Sequence, residues 1–194
     1  MSWLPANVVI DGVIYGVRAT VEEIHVNEGV VDIGYGTLCG CPRLHTVVLP
    51  QSLRTIGDSA FCNSPALRSI NIPPSVTTIE SYAFFRCSAL ETVHIPRSVT
   101  HIGGWAFYEC RALRSINIPP SVTNIGEYAF ANCKALESIH IPPSVTNIER
   151  YAFARCSALE SIHIPPSVTS RVYISSPFPS PSSFGFSFFL SSLF

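Results

Sequence analysis

Charge is scarce in this sequence: 13% of its 194 residues are Asp, Glu, Lys or Arg, and the formal net charge is −1. No broad field of one sign steers the chain toward nucleic acid or an anionic membrane surface. Long apolar runs are missing as well, and nothing approaches the roughly 18 consecutive apolar residues of a membrane-spanning helix. The opening MSWLPANVVIDG lacks a basic segment followed by a continuous apolar one, so it does not read as a secretory signal. No Asn-x-Ser/Thr glycosylation acceptor occurs. The default expectation is a cytoplasmic chain whose partners are met through shape and local polarity.

Catalytic signatures are equally absent. There is no Gly-x-Ser-x-Gly and no His-Glu-x-x-His, and Gly34-Tyr35-Gly36 is followed by Gly40, one place too late for a dinucleotide fingerprint. The two carboxylates of a glycosidase would have to come from positions that repeat along the chain rather than from one cleft. The expectation is no enzyme and no cofactor.

What the chain has is repetition. The segment ALESIHIPPSVT occupies residues 135–146 and again 158–169, and sliding it along the sequence reveals a 23-residue period. An Ala-Phe pair or its substitute recurs at Thr37-Leu38, Ala60-Phe61, Ala83-Phe84, Ala106-Phe107, Ala129-Phe130 and Ala152-Phe153, without one insertion. A fixed period between about 20 and 50 residues marks a solenoid, in which each unit buries its apolar face against its neighbours. With 47% hydrophobic residues there is enough material for that core.

Within a unit, Ala129, Phe130, Cys133 and Leu136 are spaced for one face of a short helical turn. Ile139 and Ile141 then alternate with Ser138 and His140, which predicts a strand with isoleucines inward. Pro142-Pro143 ends that strand, and Val145 with Ile148 returns apolar side chains to the core. Stacking such coils places their strands side by side as a parallel sheet on one flank, with the bulkier helical turns on the other.

The combination Leu-x-x-Ile-x-Ile-Pro, Ser-Val-x-x-Ile and Ala-Phe-x-x-Cys resembles the BspA-like leucine-rich repeat family, from about Val21 to Thr169. The resemblance implies an α/β repeat: a right-handed, curved leucine-rich-repeat solenoid with its parallel sheet on the concave side and helical turns on the convex side. It also implies binding or adhesion rather than catalysis.

Three regions follow. Residues 1–20 carry Asp11-Gly12 between β-branched runs, a hairpin signal, and are expected to form an N-terminal β-hairpin cap with Trp3 over the first coil. Residues 21–169 form the solenoid of about six 23-residue units. Residues 170–194 leave the repeat in mid-coil for a Ser/Pro/Phe-rich tail that holds six of the twelve phenylalanines. That tail is open to three interpretations: an irregular segment or misassigned gene end, a cap on the last coil, or a lipid-anchor signal. An uncapped last coil would favour self-association through the C-terminal end.

Cys41, Cys87, Cys110, Cys133 and Cys156 share one register position, with Ser64 in the sixth place. A position where serine substitutes is that of a small buried spacer, not of a reactive thiol. Cys39 and Cys62 share another position, one coil apart, and are the favoured pair should any disulfide form. Cys39, Cys41 and His45 offer only three potential metal ligands, too few for a closed site. No metal is expected.

The outward column of the sheet reads His25, Val48, Asn71, His94, Asn117, His140 and His163; beside it run Glu23, Thr46, Ser69, Thr92, Ser115, Ser138 and Ser161. Hydroxyls beside imidazoles and amides make a nearly uncharged hydrogen-bonding strip. The candidate binding residues are Asn71, His94, Asn117, His140, His163, Ser115, Ser138 and Ser161, facing a protein or glycan. The alternative is that an exposed strand position simply needs a polar residue. A further column, Glu22, His45, Arg68, Glu91, Arg114, Glu137 and Glu160, can pair charges between coils as an aid to register. Tyr82, Trp105, Tyr128 and Tyr151 are expected to cover the helical flank, an aromatic binding stripe being the alternative.

Overall fold

Alternation of one buried residue between two exposed ones creates the first strand of each coil. In a computed structural model, which describes residues 9–10, 13–14 and 21–169, these are β3 (Glu23–His25), β5 (Thr46–Val48), β7 (Ser69–Asn71), β9 (Thr92–His94), β11 (Ser115–Asn117) and β13 (Ser138–His140). Ile24, Val47, Ile70, Val93, Ile116 and Ile139 point into the core from their centres. They pair in parallel two by two, β3 with β5, β7 with β9 and β11 with β13.

A second ladder runs along the return segment, where the sequence predicts only an apolar return. It comprises β4 (Asp32–Ile33), β6 (Thr55–Ile56), β8 (Thr78–Ile79), β10 (His101–Ile102), β12 (Asn124–Ile125) and β14 (Asn147–Ile148), each with one half-buried residue and one buried isoleucine. Preceding them, β1 (Val9–Ile10) and β2 (Val13–Ile14) form an antiparallel hairpin whose β2 pairs in parallel with β4. The result is one eight-stranded sheet. Trp3 and the tail 170–194 lie outside the described residues.

The third side of each coil corrects the helical-turn expectation: the described residues contain turns there and no helix. Two residues per coil, four apart, adopt the left-handed conformation, and this interrupts α-helical geometry. They fall in the columns Gly36, Ser59, Tyr82, Trp105, Tyr128, Tyr151 and Gly40, Asn63, Arg86, Glu109, Asn132, Arg155, with φ between 52° and 71°. Backbone donors consequently alternate in destination. Ser59, Phe61 and Asn63 donate to Ser81, Ala83 and Phe85 of the next coil, whereas Ala60 and Cys62 donate three residues back within their own. Successive coils are thus tied through the turn side and the return ladder, and on the remaining side by strand pairing at β3–β5, β7–β9 and β11–β13.

The core is a set of columns. Phe61, Phe84, Phe107, Phe130 and Phe153 stack ring upon ring, with centroids 5.2, 5.2, 5.3 and 5.6 Å apart. Leucine, valine and isoleucine columns fill the rest, nearly all fully buried. At about 25 cal/mol per Å² of apolar surface removed from water, this burial dominates folding. The chain is a right-handed, curved parallel solenoid in which each coil depends on its neighbours.

Candidate functional site

Every residue of the expected strip is exposed: Asn71, His94, Asn117, His140 and His163, with Ser115, Ser138 and Ser161 beside them. Strand register places Asn71 against His94, Asn117 against His140, and Ser115 against Ser138. His163 and Ser161 remain exposed and in the repeat register, but they lie beyond β13, outside any strand. His140 and His163 are therefore not joined by a strand ladder among the described residues. The strip ends toward the N-terminus at Val48, which is 45% exposed and apolar, and at His25, whose ring nitrogen meets Glu23 at 2.8 Å.

The charged column behaves differently from expectation. No ion pair joins Arg68, Glu91, Arg114 and Glu137 among the described residues; the coils are linked there by backbone bonds from Glu91 to Arg68 and from Glu137 to Arg114. Long exposed side chains gain too little from pairing to be held in one geometry. Ion pairs form instead from Arg43 to Glu22 and from Arg86 and Arg111 to Glu109.

Cys39 and Cys62 are bonded, with Cα atoms 4.5 Å apart. Cys41 is buried in the spacer column, and His45 is exposed with its Nδ1 3.0 Å from the Thr46 hydroxyl. The three are not gathered as metal ligands, and the described residues contain no cluster of three metal-ligating side chains. No helix among them is long and apolar enough to cross a membrane.

Two structural roles escaped sequence reasoning. The buried cysteines donate hydrogen bonds to carbonyls of the preceding coil, as Ser64 does, which explains why serine serves in their place. The serine two residues after the strand-ending proline acts similarly in some coils: Ser52, Ser121 and Ser167 donate to Val30, Val99 and Val145 at 2.8, 2.6 and 2.8 Å, whereas the hydroxyls of Ser75 and Ser144 in the same column are buried without a partner among the described residues. Their recurrence in every unit was the only available signal. The aromatic column expected on the turn flank forms a stacked band, where Tyr82 meets Trp105 at 5.9 Å, Trp105 meets Tyr128 at 4.3 Å and Tyr128 meets Tyr151 at 5.0 Å.

Solved structures with the same arrangement come from bacteria. A leucine-rich repeat protein from Bacteroides ovatus is 31% identical over 79% of this chain and 43% of its own, with a TM-score of 0.70. A T. pallidum leucine rich repeat protein is 31% identical over 76% of this chain and 70% of its own, also at 0.70. A leucine rich cell surface protein from Faecalibacterium prausnitzii is 30% identical over 77% and 55%, at 0.54. The chain thus spans less than half the length of the B. ovatus protein. No curated protein matches it. The family model for the BspA type leucine rich repeat region matches in 6 copies across residues 15–137 and 78–175, and the chain belongs to that family.

Proposed function

We propose that the protein is a non-enzymatic binding or adhesion module that presents the strip centred on Asn71, His94, Asn117 and His140 to a protein or glycan. The observation that carries this reading is the separation of chemistry by face. The strand centres are all buried and apolar, while from Ser69 to His140 their outward neighbours are small hydroxyls, amides and imidazoles in register. Repeat proteins bind through extended surfaces of this kind. The F. prausnitzii relative is named as a cell surface protein, which agrees with adhesion. The β1–β2 hairpin serves as the N-terminal cap of the array.

The test is a quadruple Asn71→Ala, His94→Ala, Asn117→Ala, His140→Ala variant of the full chain. Wild type and variant are applied to an immobilised panel of glycans and matrix proteins. Binding by the wild type that is lost in a variant with unchanged thermal midpoint supports the proposal; binding that survives places the contact elsewhere.

One observation favours a second reading, a structural piece of a larger or recently expanded array without a dedicated ligand. Residues 127–149 and 150–172 are identical at 17 of 23 positions, exposed Ser and His included. A surface shaped for one ligand should differ between coils. Under this reading no panel member binds, and the chain associates through its last coil, which light scattering after size exclusion would detect.

A further inference from the structure

The turn flank carries a second candidate site, formed by a side chain that two coils omit. Over the last four coils one register position reads Phe85, Tyr108, Ala131 and Ala154, the same position holding the bonded Cys39 and Cys62 in the two coils before them. In the first two of these coils the position is filled: the rings of Phe85 and Tyr108 stack at 5.2 Å with an interplanar angle of 10°. Tyr82 meets Phe85 edge-on at 5.6 Å, and the guanidinium of Arg86 lies 5.0 Å from the Phe85 centroid.

In the last two coils the frame persists without the ring. Tyr128 and Tyr151 occupy the column of Tyr82, and Asn132 and Arg155 occupy the column of Arg86, all with φ near 55–60°. Where alanine stands in place of phenylalanine or tyrosine, a cleft of about 390 Å³ lies among Trp105, Tyr108, Tyr128, Asn132, Tyr151 and Arg155, with the buried Ala131 and Ala154 beneath them. Tyr108 closes one end, its hydroxyl accepting a 2.9 Å hydrogen bond from Asn132 Nδ2. Arg155 is exposed at the other and makes no ion pair among the described residues. Small-molecule sites span about 300–1,000 Å³, so one planar ring and its substituents fit.

We infer that this cleft binds a small, planar, electron-rich aromatic molecule. Its ring sits above the buried Ala131 and Ala154, stacked beyond Tyr108, walled by Tyr151 and covered by Arg155 as Arg86 covers Phe85. Stacking and cation–π attraction both favour a flat π-system over a saturated ring of equal size. The site lies on a different flank from the strip of Asn71 and His94 and is independent of it.

The experiment titrates the full chain into 5-fluoroindole, followed by fluorine NMR line width. Saturable broadening is expected, reversed by indole but not by cyclohexanol. Ala154→Phe restores the ring found in coil three and should abolish binding without lowering the thermal midpoint. Arg155→Gln, a surface change that leaves the cleft open, should weaken binding about tenfold, the loss of one favourable contact of ordinary size. Arg68→Gln, an exposed change in an earlier coil and outside the cleft, should leave 5-fluoroindole binding unchanged. Should Ala154→Phe not fold, Arg155→Gln decides. Absence of saturable broadening, competition by cyclohexanol equal to that by indole, or unchanged binding in a folded Ala154→Phe or Arg155→Gln variant would each overturn the inference.

Discussion

The sulfur of Cys133 lies 3.2 Å from the carbonyl oxygen of Phe107, one coil back, and donates its hydrogen to it. Burial pushes the thiols of Cys87 and Cys156 up to about 12, and those of Cys110 and Cys133 well above the ordinary value. In the unfolded chain the same thiols ionise near 9.0. Above that pH the folded state retains protons that the unfolded state releases. Stability is therefore fully present at neutral pH and falls as pH rises through the window from about 9 to 12. Each such thiol adds a slope of roughly 1.4 kcal/mol per pH unit in that window. Urea unfolding at several alkaline pH values should show a shallower decline for Cys133→Ser than for the wild type; parallel declines would contradict the buried-thiol account.

Of the seven cysteines, Cys39 and Cys62 are bonded and five are free, all of them buried. Thiol reactivity follows access and thiolate fraction. A disulfide-exchange chromophore added to the native, unreduced chain near neutral pH should find no rapidly reacting thiol. It should find five after unfolding in denaturant without reductant, and seven after reduction. Two fast thiols in the native chain would mean that Cys39 and Cys62 are unpaired in solution.

How much of this was legible in the sequence depends on whether a feature leaves a period. Ile139 and Ile141 alternate with Ser138 and His140, so strand, buried face and outward strip could all be read. The second ladder could not, because Asn147–Ile148 offers a single inward residue, which has no period. The turn flank was misread as helical because Ala129, Phe130, Cys133 and Leu136 are spaced like a helix face. What breaks the helix is left-handed backbone at Tyr128 and Asn132, with φ of 54° and 60°. The hint lies four coils earlier, where Gly36 and Gly40 occupy those columns. The aromatic cleft was hidden for another reason: it is made by what Ala131 and Ala154 leave out.

Gly126 illustrates how closely the coils approach. A methyl group at that position would lie 2.4 Å from the backbone nitrogen of Gly104 and 2.7 Å from the carbonyl carbon of Gly103. Backbone held by ladder bonds on both sides has no room to withdraw. At Gly104 the nearest such contact is 3.3 Å, to the carbonyl oxygen of Glu127. Gly126→Ala is expected to destabilise by about 1–3 kcal/mol through overpacking. Gly104→Ala should stay within about 1 kcal/mol of the wild type, partly because alanine restricts the unfolded chain. Denaturant midpoints of the two variants, measured side by side, check this; equal losses would mean that the coils are not so tightly apposed.

The leucine column tests the dependence of each coil on its neighbours. Leu113 is fully buried between Leu90 of the preceding coil and Leu136 of the next, both themselves buried. Leu159 is also buried and has Leu136 on one side, but one period further the sequence carries Ser182 in place of leucine. Truncation to alanine removes the same atoms from both, so any difference in cost comes from the neighbours that fail to collapse into the space. Interior Leu→Ala changes cost roughly 2–5 kcal/mol. Leu113→Ala should fall in the upper part of that range and Leu159→Ala in the lower. A chain of nearest-neighbour units also frays from its ends, so Leu159→Ala should broaden the denaturant transition while Leu113→Ala shifts it. Equal shifts and equal slopes in chemical denaturation would show that stability is shared globally rather than passed from coil to coil.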